Sequence, residues 1–315
     1  RRDERTTTGC RIREHRGFPR GERLAARKEV GLPEKRSIEA EAARQTTLNP
    51  MSRPDWPLED LWLELSPMWP GISIEWLPQI DSTNSELMRR ARLGHTEAVL
   101  LVAEQQTAGR GRLGRAWITS EGSALTFSLG LPLNPQSWSG LSLAVGVALV
   151  EALDPEGAFR LGLKWPNDLW HWPKPATPAK VGGILIETVQ APGNDLGRYC
   201  VVGVGLNLKT PDLDTGGIPA RGLDHWGPPP SAGTVLARVA PALVQAVASF
   251  ERHGPAAGLA RYARHDLLLG EALRTSSGVL GVGAGVDASG ALWLNTDAGK
   301  MRIDSAEVSV RPLDL

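Results

Sequence analysis

Five short stretches of this chain carry residues whose types and spacing could do chemistry together. The first, AEQQTAGRGRLGRAW at 103–117, alternates Gly109, Gly111 and Gly114 with Arg110, Arg112 and Arg115. Glycine lets backbone N–H groups come close to a ligand. A guanidinium adds a permanent charge and a planar donor fork that fits carboxylate or phosphate. Such a loop suits closing over an anion; a solvated basic turn is the plain alternative for the GRGR run by itself. The second stretch is Lys164-Trp165-Pro166-Asn167-Asp168. Leu161, Leu163 and Trp165 fall on one strand face, so Lys164 points to the other. Pro166 cannot continue a central ladder, which puts Asn167 and Asp168 in a turn. A lysine ending a buried strand needs a partner or a task; an edge lysine that blunts aggregation is the bland reading. The third stretch is Ser82-Thr83-Asn84 at a helix start. There Thr83 and Glu86 have capping-box spacing, and capping alone would account for them. The last two, 180–185 and 203–207, are apolar strands with internal glycines, a sign that a ligand or another backbone passes close by.

The elements that must hold these stretches follow from periodicity. Residues 58–65 read as a short helix with Pro57 at its start. Residues 72–77 alternate as a strand, and a helix from Thr83 stops at Gly94. Strand-like runs at 98–103 and 124–131 flank the Gly/Arg loop, the second with Leu125, Phe127, Leu129 and Leu131 on one face. Residues 141–153 are apolar nearly all round, hence a helix packed on a sheet. Residues 170–180, WHWPKPATPAK, read as a Pro-rich excursion at a hairpin tip. Residues 181–187 and 199–208 are dense enough in apolar residues to be buried on both faces. Residues 211–230 form a Pro/Gly loop carrying Trp226. Helices follow at 232–249 and 255–265, and from Leu267 short strands and turns read as a small all-β barrel of about fifty residues.

Composition excludes several classes. The 315 residues hold 35 Lys+Arg against 35 Asp+Glu, a balance unlike that of a general nucleic-acid binder. Two cysteines, Cys10 and Cys200, make no disulfide framework or ligand cluster and suit a reducing compartment. No unbroken apolar run reaches the roughly 18–20 residues of a membrane span. Residues 1–50 stand apart: thirteen Lys/Arg, eight Asp/Glu and none of the eleven tryptophans. They have too few core formers to offset ordering entropy and lack the apolar core of a secretory signal. We expect a disordered or non-native extension there, with the folded part starting near Met51. There is no GxxxxGK[ST] and no strand–GxGxxG–helix unit, so the anion site is neither of those phosphate loops.

In this order and spacing, Ser82-Thr83-Asn84, Gln106 with Gly109-Arg110-Gly111-Arg112, Lys164 to Asp168, Lys180 to Leu185 and Gly203 to Asn207 resemble the bacterial biotin–protein ligases. The resemblance covers residues 72–315 and is most specific in the pairing of GRGR…W with KWPND. It implies an α/β fold: a mixed-sheet catalytic domain of the class II aminoacyl-tRNA synthetase type over 51–265, then an SH3-like barrel over 266–315. It implies adenylation of biotin by Mg-ATP, with transfer of biotin from biotinyl-5′-AMP to a lysine of the biotin carboxyl carrier protein of acetyl-CoA carboxylase. By position, Ser82, Thr83, Asn84, Gln106, Arg110, Gly111, Arg112 and Lys164 would bind biotin. Arg110, Arg112, Arg115, Trp117, Lys164, Asn167, Asp168, Lys180 and Asn207 would bind ATP or the adenylate. Lys164 and Arg110 would be catalytic, Arg110 holding the intermediate, and the ligands of Mg²⁺ are not identified. The Gly/Arg loop is expected to be mobile until the adenylate supplies the missing negative charge.

Residues 1–50 have no two-helix apolar pattern, so the expected form is monofunctional, without the DNA-binding domain of bifunctional members. The expected setting is cytoplasmic, with no membrane or nucleic-acid partner and room for a homodimer. A lipoate–protein ligase is the nearest rival, separated by which label is transferred. A biotin-sensing DNA-binding regulator would shift an operator, and a catalytically dead binding module would make no adenylate.

Overall fold

In the computed structural model, residues 56–174, 176–190, 192, 197–212, 219–304 and 310–313 are described. The expected extension at 1–50 lies outside them. In chain order the elements are α1 (Leu58–Leu65), β1 (Ser73–Ile80), α2 (Thr83–Arg92), β2 (Val99–Gln106), a 3₁₀ turn (Arg112–Gly114), β3 (Ala124–Leu133), α3 (Leu141–Leu153), β4 (Leu161–Lys164), β5 (Asp168–His171), β6 (Ala179–Val189) and β7 (Arg198–Asn207). A second 3₁₀ turn (Leu223–Trp226), α4 (Ala232–His253) and α5 (Ala256–Tyr262) lead to β8 (Ala272–Thr275), β9 (Leu280–Val286), β10 (Leu292–Thr296), β11 (Gly299–Ile303) and β12 (Val310–Pro312).

Two sheets result. The large one runs β1-β2-β3-β7-β6-β5-β4, with β1 and β2 parallel and every other pair antiparallel. The small one is antiparallel in the order β11-β10-β9-β8-β12, in keeping with an SH3-like domain. The last helix ends at Tyr262 and β8 opens at Ala272, so the expected boundary at 265/266 falls in the connection.

Period-two patterning divides the large sheet between two apolar layers. Leu100 and Val102 of β2 and Leu125, Phe127 and Leu129 of β3 join the main core with α3, α4 and α1. Val99 and Leu101 face the opposite side, where Leu87, Met88 and Ala91 of α2 pack with Tyr199 and Val201 of β7. One helix among the described residues, α4, is long and apolar enough to cross a membrane. Its Val235, Leu236, Val239, Leu243, Val247 and Phe250 are instead buried in the main core.

The face of the sheet under α2 positions the chemistry. Register places Ser128 beside Gly203, Gly203 beside Leu185, Gly205 beside Gly183, Gly183 beside Asp168, and Asp168 beside Lys164. As expected for glycines that something approaches closely, Gly183, Gly203 and Gly205 line a cavity and a Cβ on Gly182 would lie 2.7 Å from the Gly205 carbonyl, while side chains of α2 and the Gly/Arg stretch also rest on this face. A Cβ on Gly203 would lie 2.1 Å from Asn84 Oδ1, and one on Gly205 2.6 Å from Trp117 Cε2. Glycine here is what lets α2 and the loop lie flat on the sheet.

Three local expectations need correction. The residue capping α2 is Ser82, whose side chain accepts from the Ser85 N–H, and not Thr83. Thr83 is already helical, and its own N–H is drawn to Gln106. Asp168 is the first residue of β5 rather than part of a turn, because the reversal is complete by Asn167. Trp170 and His171 are buried β5 residues paired with Lys180 and Ala179, so the Pro-rich excursion is confined to 172–178.

Gly258 of α5 sets how closely α5 packs on α3: a Cβ there would lie 2.7 Å from Ala144 Cβ and 2.9 Å from Ala144 Cα. Alanine would recover about 1 kcal/mol of helix propensity and blur the result, so valine is the cleaner probe. Gly258→Val should cost about 1–3 kcal/mol through overpacking. The measurement is the urea midpoint, which should fall at unchanged slope; an unmoved midpoint would mean the crossing is loose.

Candidate functional site

The Gly/Arg stretch is a small hairpin. The Gly111 N–H donates to Arg115 O at 2.7 Å and the Trp117 N–H to Gly109 O at 2.9 Å. The tip turns through two consecutive left-handed residues, Leu113 (φ 57°) and Gly114 (φ 72°). Leu113 is exposed there. The hairpin base is tied to β1 and α2, because the Ala108 N–H donates to Asp81 O at 2.8 Å. The hairpin therefore starts from a fixed point and arches over the glycine-lined face of the sheet.

Under it lies a cavity of about 460 Å³. Ser82, Thr83, Asn84 and Gln106 line one end. Arg110, Gly111, Arg112, Arg115 and Trp117 line the hairpin side, and Lys164, Asn167, Asp168, Lys180 and Asn207 the remainder. Every residue singled out from the sequence thus meets in one place. Phe127, Ile184, Leu185 and Val204 add apolar wall.

Charge is concentrated at the β4–β5 hairpin. Lys164 is 4% exposed, with its Nζ 3.7 Å from Asp168 Oδ2 and 5.5 Å from the centroid of the Trp170 ring. Lys180 Nζ approaches Asp168 Oδ1 to 2.7 Å and lies 5.5 Å from the Trp117 ring centroid. Burial pushes the Lys164 ammonium below the usual lysine range, opposed by Asp168 and assisted by Lys180, Arg115 and Arg112. Burial alone would push the Asp168 carboxyl up, but Lys180 and Lys164 outweigh it and hold the group below the usual carboxylate range. One carboxylate thus stands among an excess of cations, a setting that favours an incoming polyanion. Burial also lowers Arg112, against the pull of Asp168.

Two amides are fixed by their neighbours. Asn167 Nδ2 donates to Ile184 O at 2.7 Å. Asn207 Nδ2 donates to Lys180 O and Arg221 O, both at 3.3 Å, which uses its hydrogens and leaves Oδ1 as an acceptor. At the other end, Gln106 Oε1 accepts from the Thr83 N–H at 2.7 Å.

The sequence reading missed two residues of this site. Ser128 Oγ donates to Asn84 Oδ1 at 2.6 Å, and Glu187 accepts from Asn84 Nδ2 at 3.0 Å while pairing with Arg110 at 3.2 Å. Each is an ordinary polar residue on a strand, and only the register of β3, β7 and β6 brings them beneath α2. Of the hairpin arginines, Arg110 thus has a carboxylate partner within the protein, whereas Arg112 and Arg115 still repel each other.

Among the described residues no group of three or more His, Cys, Asp or Glu could hold a metal ion. The carboxylate lining the cavity is that of Asp168, already engaged by lysine. Cys200 is buried, its thiol pushed up to about 12 by burial, which leaves it unreactive.

Comparison with known proteins gives a consistent set of relatives. The biotin/lipoate A/B protein ligase family matches residues 76–207. The biotin–[acetyl-CoA-carboxylase] ligase of Paracoccus denitrificans is 35% identical over 251 residues, covering 74% of this chain and 98% of that protein. The bifunctional ligase/repressor BirA of Escherichia coli is 32% identical over 250 residues, covering 76% of this chain and 75% of the relative. Among solved structures, the biotin protein ligase of Aquifex aeolicus in complex with biotin and ATP matches with a TM-score of 0.64 at 28% identity, covering 76% of this chain and 98% of that one.

Asp168→Asn tests the charge balance. Removing one partner of a buried ion pair costs about 3–5 kcal/mol, and here it leaves Lys164 facing Lys180. The folded-state pKa of Lys164 lies below its unfolded value, so the charged form is the costly one. That cost is complete below the folded pKa and fades as pH rises through it. The stability gap to wild type, from urea unfolding, should therefore be largest near pH 7 and shrink toward pH 10. A gap that does not change with pH would show that Lys164 is not the group left exposed to the loss.

Proposed function

The chain belongs to the biotin/lipoate A/B protein ligase family, and from that premise we infer that it is a biotin–[acetyl-CoA-carboxylase] ligase. Biotin and ATP are its substrates, and the carrier protein of acetyl-CoA carboxylase accepts the biotin. In the first step a biotin carboxylate oxygen bonds to the α-phosphorus, the bond to the β-phosphate breaks and pyrophosphate leaves. In the second a neutral lysine ε-amine attacks the acyl carbon, the mixed-anhydride C–O bond breaks, AMP leaves and the amine loses a proton.

The observation that carries the residue assignment is that buried Lys164, half-buried Lys180 and the arginine hairpin close on one cavity with an apolar wall. Adenylation brings an anionic carboxylate up to an anionic phosphate, so fixed cations lower its barrier. Lys164, held by Asp168 and the Trp170 ring, is placed to contact both anions. Trp117 offers a ring face for the adenine, and Asn207 Oδ1 an acceptor for its amino group. Ser82, Thr83, Asn84 and Gln106 take the biotin head at the opposite end. Arg115 also lines a second recess with Arg274 and Arg311, a cationic exit suited to pyrophosphate.

Arg110 and Arg112 both line the cavity, Arg110 anchored by Glu187, and Arg110 keeps the assignment of holding the adenylate, with Arg112 beside it. Closing the hairpin keeps water from a labile anhydride, and its closure on ligand remains part of this reading. Mg²⁺ belongs to the reading as a companion of ATP. The donors described do not fit a protein-built metal site, and Mg²⁺ is commonly held largely by substrate phosphates. A cytoplasmic setting, a homodimer and the lack of a nucleic-acid partner rest on the sequence expectations.

Incubation with biotin, Mg-ATP and a biotin carrier domain should add one biotin mass to the carrier, whereas lipoate should add none. Lys164→Ala should slow pyrophosphate release at least about a hundredfold, the scale for removing one electrostatic contact to developing charge. A rate within threefold of wild type would remove the lysine from the reaction. Separately, Arg110→Gly should still form adenylate but release it, so bystander proteins become biotinylated. Labelling confined to the carrier would take that role away from Arg110.

A further inference from the structure

Six residues are linked in one chain at the end of the cavity assigned to biotin: an ion pair joins Arg110 to Glu187, side-chain hydrogen bonds join Glu187, Asn84, Ser128 and Thr83, and the Thr83 backbone N–H reaches Gln106. Four of them line the cavity. Ser128 and Glu187 are not lining residues and stand behind the others. Their effect is to decide which way the hydrogens point.

The direction follows from what each group can do. Asn84 Nδ2 faces Leu185 O at 3.2 Å and Glu187 Oε2 at 3.0 Å. A carbonyl and a carboxylate can only accept, so the Asn84 amide has one orientation, with both hydrogens used. Its Oδ1 accepts from Ser128 Oγ at 2.6 Å. That uses the one Ser128 hydrogen. The 2.6 Å contact between Thr83 Oγ1 and Ser128 Oγ must then be donated by Thr83. The competing Thr83 bond, to Gln106 Oε1, is longer at 3.2 Å, and that oxygen is already supplied by the Thr83 N–H at 2.7 Å. Gln106 therefore turns its Nε2 the other way, toward the position of Gly109, where a Cβ would lie 3.2 Å from it.

We propose that Glu187 and Ser128 are positioning residues that set the hydrogen-bond polarity of the biotin site and make it selective for a cyclic urea. With Glu187 as terminal acceptor, Thr83 Oγ1 and Asn84 Oδ1 keep only lone pairs for a ligand, while Gln106 Nε2 keeps hydrogens. A cyclic urea brings two N–H donors flanking one carbonyl acceptor, the complement of that pattern. A dithiolane brings no donor and would leave buried acceptors unpaired. Sites built to hydrogen-bond a substrate group reject analogues lacking it by far more than an apolar pocket can. In a family whose members divide between biotin and lipoate, this polarity gives the choice a physical basis. The proposal rests on the biotin-ligase reading above.

Glu187→Leu removes the terminal acceptor and frees the Asn84 amide to flip. Calorimetric titration should show biotin and desthiobiotin, which keeps the urea but lacks the thiophane ring, weakened alike by at least tenfold, with ATP affinity unchanged. In turnover the loss should appear in KM for biotin, with kcat within a few-fold. Glu187→Gln keeps an acceptor for Asn84 but loses the charge facing Arg110, so it should restore most of the affinity. Ser128→Ala, a smaller change at a buried position, should reproduce the KM effect and serves if the leucine variant does not fold. Wild-type protein that fails to adenylate biotin would sink the biotin-ligase reading. Active wild type with biotin affinity within twofold in both Glu187→Leu and Ser128→Ala would sink the polarity proposal alone. Equal losses in the leucine and glutamine variants would also overturn it, by showing that charge pairing with Arg110 is what counts.

Discussion

A lysine ammonium enclosed by protein is the constraint on which the rest of the site depends. Lys164 ends a strand at the margin of the large sheet and is almost without solvent. A buried charge persists only when it is paired. The three-residue reversal Trp165-Pro166-Asn167 supplies the pairing by returning the chain so that Asp168 stands opposite Lys164. Asp168 is shared with Lys180 of the next strand but one, so a single carboxylate serves two ammonium groups. The cluster is left short of negative charge, and a substrate phosphate or carboxylate can make up the difference.

Next to this cluster the same sheet face is lined by glycine. Gly183, Gly203 and Gly205 leave a smooth floor on which Asn84 and Trp117 rest. Side chains at those positions would lift α2 and the arginine hairpin away from the sheet and separate the two ends of the cavity. Of the polar groups on that face, Thr126 lines the cavity, whereas Ser128 and Glu187 stand behind its lining. Floor, hairpin and charged cluster are thus a single geometric solution, built from register in β3, β5, β6 and β7.

How much of this could be read in advance depended on how local each feature is. The arginine hairpin and Lys164-to-Asp168 stretch declare themselves because their chemistry is packed into a few consecutive residues. β1 and β3 were legible from alternation and β6 and β7 from their density of apolar residues, and the change to short strands after Leu267 located the second sheet. Ser128 and Glu187 were not legible, since Asn84 and Glu187 are 103 residues apart and meet only through the sheet. The cap of α2 was misassigned because Ser82 and Thr83 are adjacent hydroxyls competing for one role, and the sheet claimed Thr83. Trp170 and His171 were lost in the prolines that follow them, although pairing with β6 makes them ordinary strand residues.

The hairpin carrying Lys164 is also gripped from outside its own sheet. Trp165, fully buried, donates its Nε1–H to Gly290 O at 2.9 Å, in the turn between β9 and β10. The Leu163 N–H and carbonyl are both bonded to the connection at 265–267. The terminal sheet is therefore not a detachable appendage but part of the foundation of Lys164. Exchanging that sheet between relatives as a cassette would carry over a new footing for the lysine along with any new surface. Domain shuffling in this architecture is constrained by that indole and by the close packing of Gly290 on Gly140 and Leu143.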